Sequence, residues 1–349
     1  MEIFARPVTV TTGWRTDSNG TVIPSCTRSQ GDYWVAQGRH FGRTVYAMCS
    51  VIALLQNGLM RLEDMQDEQK SLEDYDEEEV REHDIFKKLL RIPRLKDKLG
   101  EDDTKYTMKE VAGRGIRSSR ADDTKSLKSV ILDWLMPDHS PLYPHIPRNN
   151  KSLRGFNHPV TGEHLCPTGY DWSNAKTREA LRTGSLSVPG NHWPVLLYVD
   201  LEYDPNDPWN GFMKSKVLVY VQVSVIHRPP RTNLSGNAAI HGMVRVTKAS
   251  LAYVPTQARF CLLSATVFSQ NDKITDSERF YNSLLNYLNN SEEQKEVSML
   301  LKWWDRYRSH LGFSSASCTD CLFCPGKYSL ALSQLRRRMT MGWLTSSRR

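Results

Sequence analysis

Three sets of side chains in this sequence are of types that could do chemistry. The first is His158, His164 and Cys166, close together in FNHPVTGEHLCP. Imidazole and thiolate bind zinc, and a turn around Pro159 to Gly162 could bring the three together, but a fourth ligand is missing. The competing reading is a structural loop with a buried cysteine. The second set is Cys318, Cys321 and Cys324, spaced i, i+3, i+6 and followed by proline, as in part of an iron–sulfur or zinc run. Three ligands do not close such a site, so Cys26, Cys49, Cys166, Cys261 or a second chain would have to supply the fourth. The reading adopted is therefore no bound metal and no cofactor. The third set is SGNAAIHGM with Arg259, Asp276, Glu278 and Arg279 beyond it. His241 could serve as a general base if a carboxylate oriented it. The competing reading places Ser235 and Asn237 in a turn, Asp276 and Glu278 at a helix N-terminus, and Arg279 paired with them. Gly113-Arg-Gly115 lacks the strand–loop–helix setting and the lysine of a nucleotide loop, and reads as a turn. No nucleophile elbow or kinase signature set is present.

The elements that would position these residues read mainly as helices. Phe41, Val45, Met48, Ile52 and Leu55 fall at helical spacing, with Asn57-Gly58 as a stop. The acidic stretch from Glu63 to Asp84 reads as a solvated helix face, with a flexible insertion as the alternative. Asp123 is placed to cap a helix with Leu127, Val130, Ile131, Trp134 and Leu135 on one face, ended by Pro137. Residues 137 to 172 read as a long irregular loop. Ser173 and Gly184 bracket a short helix. From Val195 to Ile226 the alternation of Val217, Val219, Val221, Val223 and Val225 is a strand signal, so a small strand pair in an α+β fold stands as the alternative.

Thr247 caps a helix carrying Leu251, Val254, Ala258, Leu262 and Ala265 on one face, with Pro255 inside it as a kink. Thr275 with Glu278, and Ser291 with Gln294, form capping boxes for two further helices. Phe280, Leu284, Tyr287 and Leu288 face Val297, Leu300, Leu301 and Trp304 in an antiparallel αα-hairpin over 276–289 and 292–310.

The chain has 349 residues, 39% hydrophobic and 24% charged, a globular composition. Its net charge of +7 is local. Six basic residues and no acid lie from Pro325 onward, which leaves 46 − 6 = 40 Lys plus Arg against 39 Asp plus Glu before it. A body-wide footprint for nucleic acid is thus missing. Nucleic acid or an anionic membrane has one route, the basic tail with Leu332, Leu335, Met339 and Trp343 around Arg336 to Arg338. The longest apolar run, Tyr46 to Leu55, is too short for a membrane span. The N-terminus lacks the order of a signal peptide, and the scattered cysteines suit reduced thiols, so an intracellular protein is expected.

Several stretches resemble a known family. They are RTVYAMCSVIALLQNGL, ADDTKSLKSVILDWL, RGFNHPVTGEHLCP, DPWNGF, SGNAAIHGMVRVTKASLAYVPTQARFCLLS, TDSERFYNSLLNYL and EVSMLLKWWDR. Together they are similar to an uncharacterised domain family abundant in mushroom-forming fungi, over about Gly38 to Leu311. The resemblance implies no activity, cofactor or catalytic residue. It implies helix over the valine-rich segment and an apolar residue where His164 stands. The expected organisation is an irregular segment 1–37, one helical domain 38–311, and a Cys-containing basic tail 312–349. The expected function is a non-catalytic interaction or structural module with a protein partner. The alternatives are an enzyme using the His158 and His241 regions, and a nucleic-acid-associated protein acting through the tail.

Overall fold

A computed structural model of the chain describes residues 14–16, 22–24, 30–67, 70–92, 95, 111–136, 140–225, 245–266, 268 and 276–310. Ten α-helices lie among the described residues: α1 Gln30–Thr44, α2 Val51–Asp67, α3 Glu77–Leu89, α4 Arg117–Val130, α5 Pro159–Leu165, α6 Ala175–Thr183, α7 Lys216–Val225, α8 Lys248–Leu262, α9 Ser277–Asn289 and α10 Gln294–His310. The only described strands, β1 Trp14–Thr16 and β2 Val22–Pro24, form a short antiparallel pair. The fold is mainly α. No described helix is long and apolar enough to cross a membrane.

Helix α8 is the axis of the core. Thr247 caps it as expected: its hydroxyl accepts from Ser250 N at 3.0 Å, and Ser250 Oγ accepts from Thr247 N at 3.0 Å. Every residue from Ala249 to Leu262 is buried, Pro255 included, and Ala265 lies beyond the helix end. A helix apolar or enclosed all round must have neighbours on every side. Here α1, α4, α7 and α9 pack around it, and one cluster of buried side chains runs from Trp34 to Trp304.

The hairpin forms where the sequence placed it, with Phe280, Leu284, Leu288, Val297, Leu300 and Trp304 all buried. Its caps differ. Thr275 lies outside the described residues, and Asp276 precedes the helix in a left-handed conformation with φ 40°. Asn290 caps a 3₁₀ turn, Ser291–Glu293, that leads into the second helix, its side chain accepting from Glu292 N at 3.2 Å. Asn174, not Ser173, caps α6 and accepts from Lys176 N at 2.9 Å, because Ser173 is held in a turn by Asp171. Gly184 closes that helix at φ 76°, as expected.

Four other expectations are corrected. The helix read through Phe41 and Leu55 is two helices, α1 and α2, and α1 starts at Gln30 inside the segment expected to be irregular. Asn57-Gly58 does not stop α2. Gly58 instead lets Phe86 of α3 approach so closely that a Cβ there would sit 2.3 Å from the ring. Gly113-Arg-Gly115 is not a turn but part of a π-helical segment, Val111–Ile116, that leads into α4. Asp123 is not a cap, since α4 begins at Arg117 and Asp123 is buried in its middle.

The valine-rich stretch is helix α7, preceded by 3₁₀ turns at Val195–Leu197 and Val199–Leu201, so no strand pair forms there among the described residues. Val217, Leu218, Val219, Val221 and Val225 are all buried. A helix enclosed on most sides carries valines on every face, so their period loses its meaning. Within the expected loop 137–172 lie a 3₁₀ turn, Gly155–Asn157, and α5.

Candidate functional site

The histidine–cysteine cluster resolves into backbone scaffolding. His158 caps α5: its Nδ1 accepts from Val160 N at 3.1 Å, and its Nε2 donates to Pro144 O at 2.7 Å. His164 Nδ1 lies 2.9 Å from Val160 O, one helical turn back. The Cys166 thiol is within bonding range of the carbonyls of Pro167 and Tyr170. Burial pushes that thiol up to about 11, away from the thiolate that binds metal. No group of three potential metal-binding side chains occurs among the described residues.

Asp276 and Arg279 are 4.0 Å apart, and Arg279 is largely exposed. The Asp276 carboxylate also accepts from Gly190 N at 2.8 Å, tying α9 to the segment before Trp193. His241, Cys318, Cys321 and Cys324 lie outside the described residues, as does the basic tail.

Sequence reasoning missed a buried polar network. Arg43 on α1 donates through Nε and Nη2 to both carboxylate oxygens of Asp123, at 2.8 Å each. Tyr253 of α8 donates to the same carboxylate at 2.8 Å. The neighbouring Thr124 hydroxyl donates to Gln257 Oε1 of α8 at 2.8 Å. Burial and the Asp123 carboxylate push the Tyr253 hydroxyl well above its ordinary value. The network fixes α1 and α4 against α8.

The surface feature with binding character lies on α2 and α3. On α2, Ile52, Leu59 and Met60 are 48%, 39% and 55% exposed, at i, i+7 and i+8 on one face. The opposite face carries the core residues Val51, Leu54 and Leu55, and Asn57 and Arg61 both bond Glu82 of α3. Ile52 was read at helical spacing with Phe41, Val45, Met48 and Leu55. It turns outward because the chain breaks between α1 and α2, which resets the helical phase. Around this row the sequence from Glu63 to Asp84 holds 12 acids against two bases. Glu63, Asp67, Glu73, Asp74, Asp76, Glu77 and Glu78 are exposed. Asp76 and Glu79 close a capping box, so the acids at the start of α3 also suit the positive end of its dipole. The result is an apolar row that runs into an acidic surface at its C-terminal end, with Lys87 and Lys88 exposed at the far end of α3. The signal for it was present as an apolar count on α2 larger than one buried face requires.

No curated protein and no solved structure is significantly similar to this chain. A family model described as a family of unknown function, DUF6698, matches residues 114–307, more than half of the 349, and the chain belongs to that family.

Proposed function

We propose that the chain is a non-catalytic interaction module whose α2–α3 face docks a basic protein segment with apolar anchors. The observation that carries this reading is the exposed row Ile52, Leu59 and Met60, followed by exposed acids at the end of α2 and the start of α3. Apolar side chains sharing one exposed helix face, rimmed by charge of one sign, suit an amphipathic partner of opposite sign. The use of both His158 ring nitrogens in backbone bonds supports a non-catalytic role for that region. Cys49, Cys166 and Cys261 are free thiols, which supports the intracellular setting. The module is the helical body proposed for 38–311, extended back to Gln30.

The test uses the full chain and two helical peptides of equal length, one leucine–lysine and one leucine–glutamate. The lysine peptide should bind, more weakly as salt rises. Leu59→Ser with Met60→Ser should weaken that binding by about tenfold, equivalent to about 1.4 kcal/mol. Equal binding of both peptides, or none affected by the double substitution, overturns the reading.

A further inference from the structure

A cleft of about 350 Å³ opens between α5, the start of α7 and the 3₁₀ turn Ile131–Trp134 that follows α4. Its walls are apolar and aromatic, led by Trp134, Val160, Leu201, Val217 and Tyr220. The Trp134 and Tyr220 rings stand 5.6 Å apart, tilted by 46°. Val160, Glu163 and His164 share one face of α5, and Lys216, Val217 and Tyr220 share one face of α7, so two helices present these groups together. Four polar groups converge on the apolar walls: Glu163, Asp200, Lys216 and His164. That combination of apolar walls and a few placed polar groups is the usual make-up of a small-molecule site.

The charge of the cleft selects the ligand. His164 is bonded through Nδ1 to Val160 O, so Nδ1 carries its proton and Nε2 is left as an acceptor. Burial holds this imidazole below its ordinary range, so it is neutral near pH 7. Two carboxylates then face one ammonium, a net charge of −1. Asp200 and Lys216 meet at 3.7 Å and are both largely exposed, so with that pair counted the Glu163 carboxylate is the surplus charge. The C-terminal end of the helical run through Trp134 adds partial negative charge. The backbone is also strained here. Asp200 and Leu201 are consecutive non-glycine residues at φ 51° and 64°, a strained conformation that gathers at ligand sites.

The geometry points to a binding site for a small aromatic ammonium compound, with its ring against Trp134 and Tyr220 and its cation beside Glu163 and Asp200. Aromatic faces reinforce the choice, because they attract cations and stack on rings.

The experiment titrates the full chain by calorimetry with three probes sharing one ring: tryptamine, indole and indole-3-propionate. Tryptamine should bind about tenfold more tightly than indole-3-propionate. Glu163→Gln with Asp200→Asn should abolish that preference without disturbing the fold, since both side chains are exposed and asparagine tolerates the left-handed backbone. Lys216→Met, which removes the competing ammonium, should tighten tryptamine. Val217→Trp should block all three probes. If that variant does not fold, the first two decide. No binding, equal binding of the cation and the anion, or a preference that survives Glu163→Gln with Asp200→Asn overturns the assignment.

Discussion

At the scale of single residues, Asp123 shows why polar side chains are hard to place from sequence. In ADDTKSL an aspartate ahead of an apolar run has the form of a helix cap, and nothing local reveals that the helix began at Arg117. The carboxylate is committed across the core to Arg43 and Tyr253, residues far away in the chain. Such a pair contributes by being complete, because each partner alone would be a desolvated, uncompensated group. Asp123→Asn should therefore cost about 3–5 kcal/mol in a urea melt. The double variant Arg43→Met with Asp123→Leu should recover most of that loss, because similar-sized apolar groups remove the charge with its partner. A single variant as stable as the parent would mean the network is wet and unimportant.

At the scale of elements, legibility tracked how local the determining interaction is. Thr247 before α8, and Gly184 after α6, were read correctly because a cap involves residues three or four apart. The faces of α9 and α10 were readable since each has one buried side and one wet one. The break between α1 and α2 was not, because its cause is tertiary: Tyr281 OH accepts from Ala47 N, and Thr247 Oγ1 donates to Thr44 O. Nor was the crossing of α1 over the π-helical segment. A Cβ on Gly115 would lie 2.6 Å from Gly38 Cα, and one on Gly38 would lie 2.6 Å from Val111 O. The two glycines are there to let backbones touch, not to turn the chain. Gly115→Ala should thus destabilise the protein by about 1–3 kcal/mol or more, the range for forced overpacking. A thermal melt unchanged by this substitution would show that the crossing is looser than described.

At the scale of the whole molecule, charge is distributed unevenly rather than absent. Residues 63–84 carry 12 acids and two bases, so the rest of the body before Pro325 has 38 bases against 27 acids. That polarity was countable in the sequence. The surplus of apolar residues on α2 was countable too, but which of them stay outside was not, because exposure depends on which face of α2 the core takes. The interior is uneven too, and this sets the response to pH. Lys151 is buried, with its ammonium donating to Phe260 O at 2.7 Å and lying 3.7 Å over the Phe260 ring. Those contacts offset only part of its desolvation, and burial pushes Lys151 down to about 7 from an ordinary 10.5. The unfolded chain therefore binds more protons there between pH 7 and 10.5, and stability rises with pH across that window. Buried thiols act in the opposite sense. Burial pushes Cys49 and Cys261 up to about 12 from 9.0, and Tyr46 and Tyr287 to about 12 from 10.0. Their contribution is complete below pH 9 and is lost as pH climbs toward 12. Urea midpoints should accordingly increase from pH 7 to about 9 and fall beyond it. Lys151→Met should reduce the rise, leaving the part from Lys214 and Lys248, which burial also holds below their ordinary value, and should leave the alkaline fall in place. A midpoint that declines steadily from pH 7 in the parent protein, or a rise undiminished in Lys151→Met, would show that the ammonium is solvated and that the interior charge lies elsewhere.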